Sequence, residues 1–263
     1  MRERNLFASV VRNRELVWEM ALRDLKGANK GALIGWGWLI LSPLVQVAAY
    51  VFIISYVFNV RPAQGTGPIE YAMYVLIGMA PWQFMSRSLQ EATSLIRDRI
   101  ELVKQVIYPI ETLPVTSMIV NAVGPLVTLA IGLVIASWLG KADLRYLLLP
   151  LPVALLGVFV LGSAWILSIA GVVLKDLREM LSIALALLVY LSPVVLTPDM
   201  VGERVWSVVL LNPLSHVILC FRDVLGGGFH PASWAIFVAM AAVAATIGLW
   251  VINRTKLLIN EYI

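Results

Sequence analysis

The chain has 263 residues, 60% of them hydrophobic and 14% charged, and its mean hydropathy is +0.87. Soluble domains carry about a quarter charged residues, so this balance excludes them and points to an all-α polytopic membrane protein. The net charge of +4 does not mark a nucleic-acid surface, because the 20 Lys and Arg residues are dispersed and no binding motif accompanies them. The single cysteine, Cys220, rules out an intrachain disulfide and a Cys-based metal site. His216 and His230 lack a carboxylate cluster in the sequence, so neither a metal nor a catalytic centre is expected.

Residues 1–30 are set apart as a cytoplasmic interfacial segment. Over 6–26, Phe7, Val11, Trp18, Leu22 and Leu25 share one helical arc, while Arg12, Glu15, Glu19, Arg23 and Lys26 share the next. Such a helix lies along a membrane surface or docks on a partner's cytoplasmic face. No cleaved signal peptide is expected, since the first apolar run starts only near Gly31 and is too long for one.

Residues 31–253 read as a six-span membrane domain, with spans at about 33–59, 70–91, 112–139, 147–173, 180–197 and 231–252 and a cytoplasmic tail at 254–263. The second span is the shortest apolar run, Tyr71–Ser86, and charge decides it. With both termini inside and this run counted, Lys and Arg divide 15 inside to 5 outside; without it the division falls to 11 against 9. Val205–Phe221 is broken by Asn212-Pro213 and bounded by Pro198 and Gly226-Gly227-Gly228. It is expected to be re-entrant or interfacial at the extracytoplasmic side rather than a crossing.

The first span carries Gln46 and Tyr50 one turn apart, suited either to a polar substrate or to interhelical hydrogen bonds. The second ends in a polar stripe, Gln83, Arg87, Gln90 and Ser94. Ser117, Asn121, Gly124 and Thr128 align on the third span, and Gly157, Ala164, Ser168 and Gly171 on the fourth, as packing stripes. Trp36, Trp38, Tyr71, Tyr74, Trp138, Tyr146, Trp206 and Trp234 sit near span ends, where aromatic side chains serve as interfacial anchors.

Between spans two and three, Arg97–Ile107 gathers Arg97, Asp98, Arg99, Glu101 and Lys104 beside an apolar row of Ile96, Ile100, Val103 and Ile107. This is a short amphipathic helix, too charged for hydrocarbon. A second charged turn, Lys175, Asp176, Arg178 and Glu179, follows span four. Arg12, Arg14, Arg23 and Arg87 are candidates for attracting an anionic lipid head group, set against ordinary positive-inside bias. No stretch matches the nucleotide-binding G-x-x-x-x-G-K-[ST]: Gly140-Lys141 is preceded by Ile135 at the first glycine position and followed by Ala142. The chain is therefore not expected to bind ATP in such a loop, and an enzymatic role is not expected either. Intramembrane catalysis needs convergent ionisable groups, which the long apolar runs lack.

Five elements in register resemble the permeases of ABC-2-type polysaccharide exporters. They are Gly35-Trp36-Gly37-Trp38 with Ser42-Pro43-Leu44; Tyr74 to Phe84; Val103 to Pro109 with Leu113-Pro114; Leu191-Ser192-Pro193-Val194-Val195; and Leu211-Asn212-Pro213-Leu214 with Arg222. The resemblance implies a homodimeric channel in the bacterial inner membrane, paired with two copies of a separate ATPase that binds ATP and Mg; this chain itself holds no cofactor. It implies that Arg97–Ile107 is a coupling helix, that Lys175–Glu179 is a second ATPase contact, and that the segment after span five forms extracytoplasmic gate helices. The implied substrate is a polysaccharide on undecaprenyl diphosphate, with O-antigen preferred over capsule or teichoic acid. A small-molecule exporter on the same fold is the rival. Candidate channel residues are Gln46, Tyr50, Phe52, Trp82, Gln83, Phe84, Arg87 and Tyr190, the aromatic ones meeting sugar rings.

Overall fold

The structure, a computed structural model, describes residues 10–28, 35–53, 67–100, 109–141, 143–226 and 228–262. These residues form helices joined by turns, with no strand among them. The helices are α1 (Arg14–Ala28), α2 (Trp38–Phe52), α3 (Pro68–Ala92), α4 (Leu95–Asp98), α5 (Leu113–Trp138), α6 (Pro150–Val173), α7 (Leu177–Tyr190), α8 (Pro198–Leu211), α9 (Pro213–Gly226) and α10 (Pro231–Tyr262).

Helix α3 is the centre of the bundle. Helices α2, α5, α6, α7 and α9 all pack on it, and nearly every residue from Tyr71 to Leu89 is buried or half-buried. This is the least apolar of the long helices, carrying Glu70, Gln83, Arg87 and Glu91. Interior placement accounts for Gln83 and Glu91, because polar groups at membrane depth persist where protein satisfies them, whereas Arg87 is exposed. The long apolar helices lie outside it. Ile110–Trp138, Leu144–Val173 and Pro231–Thr255 are long and apolar enough to cross a membrane.

Helix α6 packs along α10 at very short range. A methyl group on Gly162 would collide with the Ala244 backbone, and one on Gly248 would collide with the Gly162 carbonyl oxygen. Of the expected packing stripe on this helix, Ala164, Ser168 and Gly171 are buried. Gly157 instead borders a cavity, and a methyl group added there would meet nothing within 4 Å. That cavity, about 390 Å³, is apolar and lies among α3, α5, α6 and α9, beside Pro81 and Pro125.

Helix α7 stops at Tyr190, before the expected span end at 197. Its carbonyls there are taken up by Asn212, whose Nδ2 donates to Leu188 O at 3.3 Å and to Leu191 O at 3.0 Å. The same side chain starts α9: Asn212 Oδ1 accepts from Leu214 N at 3.0 Å, with Pro213 at the first helical position. Helices α8 and α9 meet there at 111°. Helix α8 also kinks at Gly202, where φ is +71°. Helix α9 is buried along nearly its whole length, from Leu214 to Leu225, its polar arc of Ser215, His216, half-buried Arg222 and Asp223 included.

Candidate functional site

Polar contacts gather at the two ends of the bundle and at one crossing between them. At the first end, α3 closes on Thr93, the chain turns, and α4 carries Arg97 and Asp98 outward while Leu95 and Ile96 are buried. Ser94 Oγ donates to Asp98 Oδ2 at 2.7 Å, and Arg178 Nη1 reaches Ser94 Oγ at 3.5 Å. Arg97 Nη1 donates to the Lys175 carbonyl oxygen at 3.5 Å. Arg99 Nη2 binds Asp24 Oδ2 of α1 at 2.5 Å, with both side chains mostly sheltered. Three segments far apart in sequence, the N-terminal helix, the 94–99 turn and the 175–178 turn, thus meet as one charged junction.

Two sequence expectations change here. The helix over 97–107 is not continuous from Ile96, because α4 ends at Asp98 and Arg99 leaves helical geometry (φ −118°, ψ 21°). Ile96 is buried while Ile100 is exposed, so the two do not share one stripe. Glu101 and Lys104, with 101–108 as a whole, lie outside the described residues. Asp176 is exposed at the start of α7. Helix α1 also turns a different face inward. Val17, Met20, Ala21 and half-buried Asp24, spaced i, i+3, i+4, i+7, face the protein and α5, whereas Val11, Trp18 and Leu22 are exposed. The outward arc remains apolar enough to meet a membrane surface. Arg12, Arg14 and Arg23 are exposed on this segment, and Arg87 is exposed on α3.

At the crossing, Gln83 Nε2 donates to Gln46 Oε1 at 2.7 Å, and Thr128 Oγ1 donates to Gln83 Oε1 at 3.1 Å. This bridge ties α2, α3 and α5 and satisfies a buried amide. Nearer the charged end, Asn121 Nδ2 donates to Glu91 Oε2 at 2.5 Å and to Ser117 Oγ at 3.3 Å. The candidate channel residues are scattered. Trp82 and Gln83 are buried, Phe84 lines the apolar cavity, and Gln46, Phe52, Arg87 and Tyr190 are exposed. Nothing is described of the Tyr50 side chain.

At the opposite end, the 192–197 segment is stitched to α3 and α9. Tyr71 Oη donates to Val195 O at 3.1 Å, and Tyr74 Oη donates to Leu196 O at 2.7 Å. Arg222 Nη2 donates to Val194 O at 3.0 Å, and the guanidinium stacks 3.3 Å above the Tyr74 ring centre. Ser192 Oγ closes the turn by donating to Val189 O at 2.7 Å. Gly78 keeps this crossing tight: a methyl group there would meet both Arg222 Nη2 and Val194 Cα at 3.1 Å, and those neighbours would have to give by a few tenths of an ångström. Beside it, Asp223 accepts from the His230 backbone N, His230 Nδ1 and Trp234 Nε1 at 2.8, 2.6 and 3.0 Å. Lys141 pairs with Glu70 at 2.8 Å at this end as well.

Tyr71 and Tyr74 are therefore not lipid-facing anchors: Tyr71 is fully buried and both hydroxyls hold backbone carbonyls. Trp138 and Trp38 are exposed as an anchor would be. None of Tyr71, Tyr74, Ser192, Asn212 or Arg222 ranked among the candidate site residues. Their signal was present in the Ser192-Pro193-Val194 and Asn212-Pro213-Leu214 elements and in Arg222.

Long apolar helices around a polar central one, with charged turns segregated to the ends, define an all-α multi-pass membrane protein. Residues 18–225 match the ABC-2 type transporter family, and the chain belongs to that family. It is similar to the O-antigen export system permease protein RfbA of Klebsiella pneumoniae, 23% identical over 237 residues and 89% of each chain. The protein of that name from Myxococcus xanthus is 25% identical over 240 residues, covering 90% of this chain and 89% of the relative. The polysialic acid transport protein KpsM of Escherichia coli is 22% identical over 212 residues, covering 79% and 80%.

Proposed function

We propose that this chain is the membrane subunit of an ABC exporter that moves a lipid-linked polysaccharide across the bacterial inner membrane. O-antigen on undecaprenyl diphosphate is the favoured cargo. Two copies form the conduit and two copies of a separate ATPase, which holds ATP and Mg, drive it. Each chain crosses six times with both termini in the cytoplasm, and α8–α9 form the extracytoplasmic re-entrant pair. The observation that carries the export reading is the similarity over nearly the whole chain to permeases named for O-antigen export.

The charged junction supplies a mechanism. A force applied at 94–99 reaches α3 directly, because Thr93 caps that helix and Ser94 follows it in the turn, and reaches α1 and the α6–α7 corner through Asp24 and Lys175. Helix α3 is packed on five other helices, so tilting it moves the whole bundle. Coupling residues in this reading are Arg97, Asp98, Arg99, Glu101, Lys104, Lys175, Asp176 and Arg178. Arg12, Arg14, Arg23 and Arg87 draw in the diphosphate at the cytoplasmic leaflet. Gln46, Tyr50, Phe52 and Tyr190 are the channel candidates that suit a path between two copies, being clear of the protomer's buried interior where their side chains are described.

The test is charge reversal at Arg97, Asp98 and Arg178 together, with glycan export and copurification of the ATPase as readouts. Loss of both is expected; survival of both removes the coupling role. A capsular polymer is the second reading, favoured by the similarity to a protein named for polysialic acid transport. Deleting the gene and identifying the glycan that accumulates inside the cell separates the two.

A further inference from the structure

A cavity of about 240 Å³ opens at the stitched end of the bundle, where α3, α8 and α9 approach the start of α10. Met73, Tyr74, Trp206, Leu219, Arg222 and His230 contribute to its wall. The wall is apolar and aromatic apart from a few groups, and Arg222 dominates them. Its guanidinium gives two hydrogen bonds from Nη2, to Val194 O and, at 3.5 Å, to Tyr74 O. Its Nε is fully shielded and has no hydrogen-bond partner among the described residues. No carboxylate among the described residues lies within ion-pair distance of it.

A guanidinium that faces carbonyl dipoles and an aromatic ring keeps its full charge without a counter-charge. Sheltered cations of this kind are costly unless an anion completes them. Arg222 is only half-buried, so the open side of the cavity gives an anion access. The carboxylate in the wall, Asp223, does not fill that role. It points its charge at three other donors, the His230 backbone N, His230 Nδ1 and Trp234 Nε1. The planar fork of a guanidinium matches the oxygens of carboxylates and phosphates alike, and the common anionic groups at a membrane surface are lipid phosphates. The surrounding Met73, Ile77, Pro198 and Leu219 suit the chain attached to such a head group.

From this geometry we infer that the cavity beside Arg222 binds the phosphate of a lipid at the gate end of the bundle. The source is either the diphosphate of the exported carrier or the head group of a bilayer phospholipid. The inference rests on the export reading for the first source only; the second stands without it. Arg222 holds the phosphate, and Tyr74 and Trp206 shape the approach. Because the same guanidinium also holds Val194, a bound phosphate competes for the hydrogen bond that secures the 192–197 segment. Occupancy by either phosphate therefore loosens the stitch.

The test uses the purified full-length chain in a phosphate-free maltoside detergent, with lipid binding followed by native mass spectrometry. The probes are undecaprenyl diphosphate, phosphatidylglycerol and uncharged undecaprenol. Arg222→Gln removes the charge and keeps a donor. Trp206→Glu places a negative charge in the wall from α8 without touching the Arg222 contacts, so it tests the site if Arg222→Gln fails to fold. Either substitution is expected to weaken phosphate-lipid binding about tenfold or more, the loss of one charge-assisted contact, and to leave undecaprenol unaffected. Preference for undecaprenyl diphosphate identifies the carrier as the source, and equal binding of phosphatidylglycerol identifies a bilayer lipid. Equal phosphate-lipid binding by wild type and folded variants overturns the site. If export proceeds while phosphate binding ignores Arg222, the site fails and the export reading remains. If the wild type binds phosphate through Arg222 but exports no glycan with its ATPase, the reverse holds.

Discussion

Gly171 sits where α6 crosses the turn after α3, and an added methyl group there has nowhere to go. The position it would take collides with the Thr93 carbonyl oxygen and lies 2.6 Å from its carbon and 3.0 Å from its Cα. Ordinary contact begins at 3.4 Å, so the two segments must move apart before the methyl group fits. All three obstructing atoms are backbone, in a residue only 1% exposed that closes α3 through its N–H and hydroxyl, so no side chain can swing aside. Overpacking costs about 1–3 kcal/mol, and a backbone collision belongs at the top of that range. The gain in helix propensity from Gly to Ala offsets about 0.5–1 kcal/mol of it. A net destabilisation of about 2 kcal/mol is expected for Gly171→Ala. Gly157→Ala on the same helix is the matched control, since nothing lies within 4 Å of its methyl position. It should be neutral or stabilising by up to about 1 kcal/mol. Thermal unfolding in detergent should therefore separate the two variants by about 6–12 °C, taking about 3 kcal/mol at roughly 2–4 °C per kcal/mol. Because the collision falls beside Ser94 and Arg97, Gly171→Ala should also weaken ATPase association. Equal melting of the two variants would refute the close crossing on which the charged junction depends.

Asn212→Ala removes the cap of α9 and leaves the Leu188 and Leu191 carbonyls without their donor, so a loss of about 2–4 kcal/mol is expected in the same unfolding assay. Asn212→Asp keeps the cap but not the donor and should recover only part of it. Reversing the Arg99–Asp24 pair by exchanging both residues should restore stability relative to either single change, with a coupling of about 0.5–2 kcal/mol in a double-mutant cycle; no coupling would detach α1 from the junction. Tyr71→Phe and Tyr74→Phe each delete one hydrogen bond to the 192–197 segment while keeping the ring. Each should cost about 1 kcal/mol and raise amide exchange at Val195 to Thr197 more than elsewhere. Uniform exchange across the chain would show that the tyrosines do not hold that segment.

Class and chemistry were legible in the sequence. Long charge-free runs require a membrane, and Asn-Pro interrupts a run that would otherwise read as another crossing. Each of these rests on properties that sum along a few consecutive residues. Only the tertiary structure decided which surface each helix shows to its neighbours. Tyr71 and Tyr74 have the composition of membrane anchors, yet α3 is enclosed, so their hydroxyls meet the 192–197 carbonyls instead of head groups. Gln46 was open to substrate or to interhelical hydrogen bonds, and the packing of α2 on α3 and α5 brought it to Gln83. The inward face of α1 is displaced from its most apolar arc because α5 and Arg99 meet Val17, Met20 and Asp24. In a bilayer, lipid and protein are almost equally apolar neighbours, so hydropathy cannot tell a residue which of the two it will touch.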